Sequence, residues 1–70
     1  MIVYELSSPD LEHRIWLRSL VDAMTLVRER GIKNYKVHRL TLDKRREGKE
    51  LEWMLQRRDA YVMKRELVGS

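Results

Sequence analysis

The chain opens on alternation. Ile2, Tyr4 and Leu6 interleave with Val3 and Glu5, all but the glutamate being residues that suit a pleated, half-buried surface, so residues 1–6 predict a short strand. Ser7-Ser8-Pro9-Asp10 then reads as a helix entry. Ser8 can cap, Pro9 suits the first helical position, and Asp10 and Glu12 meet the positive end of a helix dipole. The spacing predicts a long helix over 9–30, stopped by Gly31, with Arg28 and Arg30 at its negative end. On a helical wheel Trp16, Leu17, Leu20, Ala23, Met24 and Val27 share one broad face, the expected core face, with His13 near its edge. A narrower apolar stripe of Leu11, Ile15 and Leu26 lies opposite, among Asp22 and Glu29. It reads equally as scattered surface aliphatics or as a contact for a partner, a second subunit or the chain's own C-terminal segment.

Beyond a connector at 31–34 the period falls to two. Folding TLDKRREGKELEW back on itself around Glu47-Gly48 pairs positions whose numbers sum to 95. Leu42 then faces Trp53, Leu40 faces Leu55 and His38 faces Arg57 on one side, while Arg45 meets Glu50 on the polar side. This predicts a hairpin of 35–45 and 49–57. The rival is a helix over 43–67, which would scatter Leu51, Trp53, Met54 and Leu55 around the wheel and bury Gly48 in its interior at a cost of about 1 kcal/mol. For 59–68 the reading is a short helix capped by Asp59, with Ala60, Met63 and Leu67 on one face; a final strand holding Tyr61 and Met63 is the alternative. The expected fold is thus a single α+β domain over 1–70, in the order β-α-β-β-α, with one long amphipathic helix packed on a small antiparallel sheet whose exposed edges invite pairing.

Size sharpens that last point. A 70-residue chain buries only about 60% of the surface its unfolded form exposes, so it draws on disulfides, a metal or a partner more than a larger domain does. There is no cysteine, which removes disulfides and cysteine-based zinc sites and fits a reducing compartment. Self-association or a protein partner is what remains. No signal peptide is visible and no stretch approaches the ~18 apolar residues that span a bilayer, so the expectation is a cytoplasmic protein with no membrane contact.

The net charge of +4 is unevenly placed. Residues 1–27 carry a net −2, residues 28–46 a net +6, and residues 47–70 balance. A concentrated basic segment points to a polyanion more directly than overall charge does. Its candidate nucleic-acid contacts are Arg28, Arg30, Lys33, Lys36, Arg39, Arg45 and Arg46, with Tyr35 available to stack on a base. Against this, Glu47, Glu50 and Glu52 answer part of the charge within the hairpin.

Enzyme signatures are nearly absent: no glycine-rich phosphate loop and no Gly-x-Ser-x-Gly elbow. Pro9-Asp10 followed by Glu47-Gly48-Lys49 resembles a metal-nuclease pattern, but it places one carboxylate at a helix start and the other at a turn tip. His13 and His38, with Glu12 or Asp43, lack a metal-ligand spacing. Trp16 and Trp53 fall on expected core faces. The pattern therefore predicts no catalytic residue, no metal, no cofactor and no small-molecule substrate. Two functions follow. One is a small non-enzymatic regulatory protein associated with nucleic acid through residues 28–46. The other is an adaptor or inhibitor that docks on a larger protein machine through Leu11, Ile15 and Leu26 or through a sheet edge, of the kind that phages and mobile elements encode in short cysteine-free chains.

Overall fold

The computed structural model describes residues 1–42 and 62–70. They form an α+β arrangement of four strands and, among the described residues, one helix: β1 (Ile2–Ser7), β2 (Ile15–Leu17), α1 (Leu20–Arg30), β3 (Lys36–Leu42) and β4 (Val62–Gly69). The sheet is antiparallel throughout, in the order β2-β1-β3-β4. β1 and β3 are its interior strands, and the N-terminal end of β1 is closed onto β3 by Leu42 N–H donating to the Met1 carbonyl at 2.8 Å.

The expected helix over 9–30 begins eleven residues late. Ser8 does organise a turn, since its hydroxyl accepts the Asp10 N–H at 3.0 Å and Leu11 N–H bonds the Ser8 carbonyl at 3.1 Å. The chain then returns as β2 against β1, with Leu6 opposite Ile15 and Glu5 opposite Trp16. Period-two burial decides this segment: Ile15 and Leu17 enter the core beneath the helix, while Trp16 packs on the other face of the sheet. The helix proper is capped by Ser19, whose hydroxyl accepts the Asp22 N–H at 3.1 Å. Ser19-x-x-Asp22 is a capping-box spacing that was legible in the chain. The stop at Gly31 is as expected. Its φ of 62° is left-handed, and its N–H and that of Ile32 close back on Arg28 and Val27 carbonyls at 3.2 and 3.0 Å. This is a Schellman closure, completed by apolar contact of Ile32 with Val27 in one core cluster.

Two apolar layers flank the sheet. On the helix side Leu6, Ala23, Val27, Ile32 and Val37 are buried together, with Tyr4, Leu17, Leu20, Met24 and Val68 packed against them. Burying a leucine as completely as Leu6 stabilises by about 2 kcal/mol. On the opposite side Val3, Leu40 and Leu42 are buried, flanked by Met1, Trp16 and Val62.

The C-terminal segment corrects a second expectation. Residues 62–68 do not form the end of a helix; Val62–Gly69 is strand β4, paired with β3. The positions opposite Leu42, Leu40 and His38 are accordingly Val62, Arg65 and Leu67, in place of the expected Trp53, Leu55 and Arg57. The second expected hairpin strand, 49–57, lies outside the described residues. Long-range pairing outweighs the helix-forming character of Met63-Lys64-Arg65-Glu66-Leu67, because an unpaired β3 edge would leave buried backbone groups unsatisfied. The observed order β-β-α-β-β replaces the expected β-α-β-β-α for the described elements.

Candidate functional site

At one end of the sheet the β1–β2 connection and the α1–β3 connection face each other across an open groove of about 720 Å³. Its walls are Ser7, Ser8, Leu11, Glu12, His13 and Arg14 on one side and Lys33, Asn34, Tyr35 and Lys36 on the other, with Ser70 following β4 at the rim. The two walls are tied by Ser8, whose hydroxyl donates to the Asn34 carbonyl. Proline at position 9 and the Ser8 turn direct the first wall outward; the Schellman closure at Gly31 directs the second. Arg14, Lys33 and Lys36 are exposed cations here, and Glu12 is the one acidic side chain among the lining residues. Tyr35 is half-buried: it packs on the helix-side core and also lines the groove.

The groove thus collects Lys33, Tyr35 and Lys36 from the basic segment and adds His13, Arg14, Ser8 and Asn34, which sequence reasoning left out of the binding set. The signal for Arg14 and His13 lay in Ser8-Pro9-Asp10. As a turn that signal turns the chain back and brings residues 12–14 beside 33–36, whereas as a helix start it disperses them. Arg28 and Arg30 stay on the last helical turn, exposed and outside the groove, where they face the negative end of the dipole. Arg39 is committed within the sheet, donating to Glu66 at 3.2 Å. That bond first, and the Arg39 charge beyond it, holds the Glu66 carboxyl below the usual carboxylate range; the same bond raises the Arg39 guanidinium, with a smaller contribution from Tyr4. Arg45 and Arg46 lie outside the described residues.

The expected partner stripe does not exist as a surface. Leu11 is in the β1–β2 connection, Ile15 in β2 and Leu26 in α1, and all three are half-buried against the helix-side core. The carboxylates and histidines also separate. Among the described residues no group of three His, Cys, Asp or Glu side chains can hold a metal ion. Asp10 is exposed in the Ser8 turn, and Glu47 and Lys49, its partners in the nuclease-like pattern, lie outside the described residues.

A second polar constellation sits on the sheet face away from α1. Glu5 is only 2% exposed, yet charged partners converge on it. Arg65 donates to one carboxylate oxygen at 2.8 Å, Trp16 Nε1 donates to the other at 3.1 Å, and Arg14 stands 3.8 Å away. His38 lies opposite Glu5 in the register, with its Nδ1 buried and without a hydrogen-bond partner among the described residues. Arg14 therefore links this buried cluster to the groove. Among the described residues, no helix is long and apolar enough to cross a membrane. No protein-family model matches the chain, and neither a curated protein nor a solved structure is significantly similar to it.

Proposed function

We propose that this protein is a small regulatory binding protein that holds single-stranded nucleic acid in the groove between the β1–β2 and α1–β3 connections. The observation that carries the reading is the convergence of Arg14, Lys33 and Lys36 with His13 and Tyr35 on one concave surface. The cations hold backbone phosphates, and Tyr35 offers a ring on which a base stacks. Single strands suit the surface better than duplex. Duplex readers insert a helix into the major groove, and the exposed residues of α1 are Val21, Asp22 and Thr25, with Arg28 and Arg30 confined to the last turn beside Glu29. The groove's volume matches a nucleotide or two, within the range of small-ligand clefts.

Three phosphate contacts set the salt dependence. For a single strand the slope of log Kobs against log salt is about −2, so affinity falls about twentyfold between about 50 and 200 mM salt. Fluorescence anisotropy with labelled oligothymidylate and its RNA counterpart measures this. Lys33→Glu with Lys36→Glu abolishes binding, whereas Arg28→Glu with Arg30→Glu, outside the groove, leaves most of it. Equal losses from the two pairs, or no binding at about 50 mM salt, would overturn the reading.

A further inference from the structure

Arg14 belongs to two surroundings at once. It lines the groove, and its guanidinium stands 3.8 Å from the buried Glu5 carboxylate. The residue lies just ahead of β2. Ile15 and Leu17 enter the helix-side core, so alternation sets Arg14 on the opposite face of the sheet, with Trp16. Ser7 and Lys36 are register partners two positions along from Glu5 and His38, and they share that face. Because β1 runs between β2 and β3, Arg14 and Lys36 flank the end of β1 at about two strand spacings, ~10 Å. Side chains of this length can converge on one phosphate from there. An unrestrained arginine, however, is spread over many rotamers and loses that freedom on binding.

Glu5 limits that spread. Its carboxylate is itself held in place: Arg65 donates to one oxygen at 2.8 Å and Trp16 Nε1 to the other at 3.1 Å. The oxygen that accepts the indole N–H is the one that Arg14 faces. Arg14 turns Nη1 toward it, which leaves the other N–H donors of the guanidinium fork for a ligand. The two side chains differ sharply in access, Arg14 being 46% exposed and Glu5 3%. A nucleic acid in the groove therefore meets the arginine and not the carboxylate behind it. The shorter ion pair of Glu5 is the one with Arg65, so the charge of Arg14 is only partly spent on it.

We propose that Glu5 is a positioning residue for the groove: from beneath the surface it holds Arg14 in place as a pre-ordered phosphate contact beside Lys36. This role rests on the nucleic-acid reading of the groove. Pre-ordering removes part of the side-chain entropy that binding otherwise costs. The consequence runs against net charge. A carboxylate close to a phosphate site repels the ligand, so on charge alone its removal strengthens binding. Here its removal loosens Arg14, and binding weakens.

Two measurements on the whole chain test this. The first is fluorescence anisotropy with labelled oligothymidylate on the wild type, Glu5→Gln, Arg14→Ala and the double variant. Glutamine keeps an oxygen for the Trp16 N–H and loses the charge, and urea midpoints confirm that each variant is folded in the assay. Glu5→Gln weakens binding about fivefold through the looser Arg14. Its phosphate contacts are retained, so its salt slope stays at about −2, whereas Arg14→Ala lowers the slope to about −1.4. Adding Glu5→Gln to Arg14→Ala has no further effect, while a general loosening of the fold would weaken binding in both backgrounds. The second is heteronuclear relaxation of the Arg14 Nε–Hε pair in the free protein, ordered in the wild type and mobile in Glu5→Gln. A Glu5→Gln variant that binds as tightly as the wild type or more so, a loss that persists in full without Arg14, or an Arg14 side chain equally mobile in both proteins would overturn the proposal. A wild type with an ordered Arg14 that binds no oligothymidylate removes the groove reading and this role with it; one that binds with a mobile Arg14 removes this role alone.

Discussion

Glu5 shows how much of this fold turns on single residues. In the sequence it is the polar member of an alternating strand, and alternation assigns it to solvent. In the structure it is buried, because the sheet has an apolar layer on both faces. A buried carboxylate is tolerated only with partners, and it has them in Trp16, Arg65 and, more distantly, Arg14. These come from β2, β4 and the β1–β2 connection, so one side chain ties together segments up to sixty positions apart. Replacing Glu5 with leucine removes the acceptor for the buried indole N–H and for the Arg65 guanidinium. The expected cost is about 2 kcal/mol, below the full value for a dry ion pair because the Arg65 side chain is a third exposed. Urea denaturation checks it: the midpoint falls while the slope is unchanged.

At the scale of elements, the ends of α1 are local and can be tested locally. Ser19→Ala removes the hydroxyl that accepts Asp22 N–H and costs about 1 kcal/mol. Gly31→Ala meets no neighbouring atom within 4 Å, so its cost is the left-handed φ alone, again about 1 kcal/mol. Thermal melts of the two single variants and the double variant should show additive losses, since the two sites lie at opposite ends of the helix. The helix stop was legible because a glycine after a basic turn has one common meaning. The helix start was misread because two serines, Ser8 and Ser19, carry cap signals, and the first is followed by proline. What separates them is non-local: Ile15, Trp16 and Leu17 have β1 beside them, and no window of sequence contains that strand. The same reason hides β4. Its local character is helical, and its strand conformation comes from the open edge of β3.

At the scale of the whole molecule, the sequence was informative about composition and poor on topology. The α+β class, the first strand, the β3 strand and the sign of the charge in the 28–46 segment were all legible. The groove was legible in half: Lys33, Tyr35 and Lys36 belong to the basic run, but His13 and Arg14 join them only because the chain doubles back at Ser8. Net charge along the sequence misleads here, since the acidic N-terminal third contributes one of the three cations of the site. What the fold adds is selection. It places Arg28 and Arg30 at a helix end, commits Arg39 to Glu66 and leaves Lys33 and Lys36 beside a concave surface. The central claim, that this groove is where nucleic acid sits, is tested most directly by titrating unlabelled oligothymidylate into the isotopically labelled protein and following backbone amide shifts. Perturbations confined to residues 8, 12–14 and 33–36, with the Tyr35 ring resonances moving upfield as a base stacks, are the predicted result. Shifts centred on Arg28 and Arg30 at the end of α1, or a titration that leaves residues 33–36 unmoved, would contradict it.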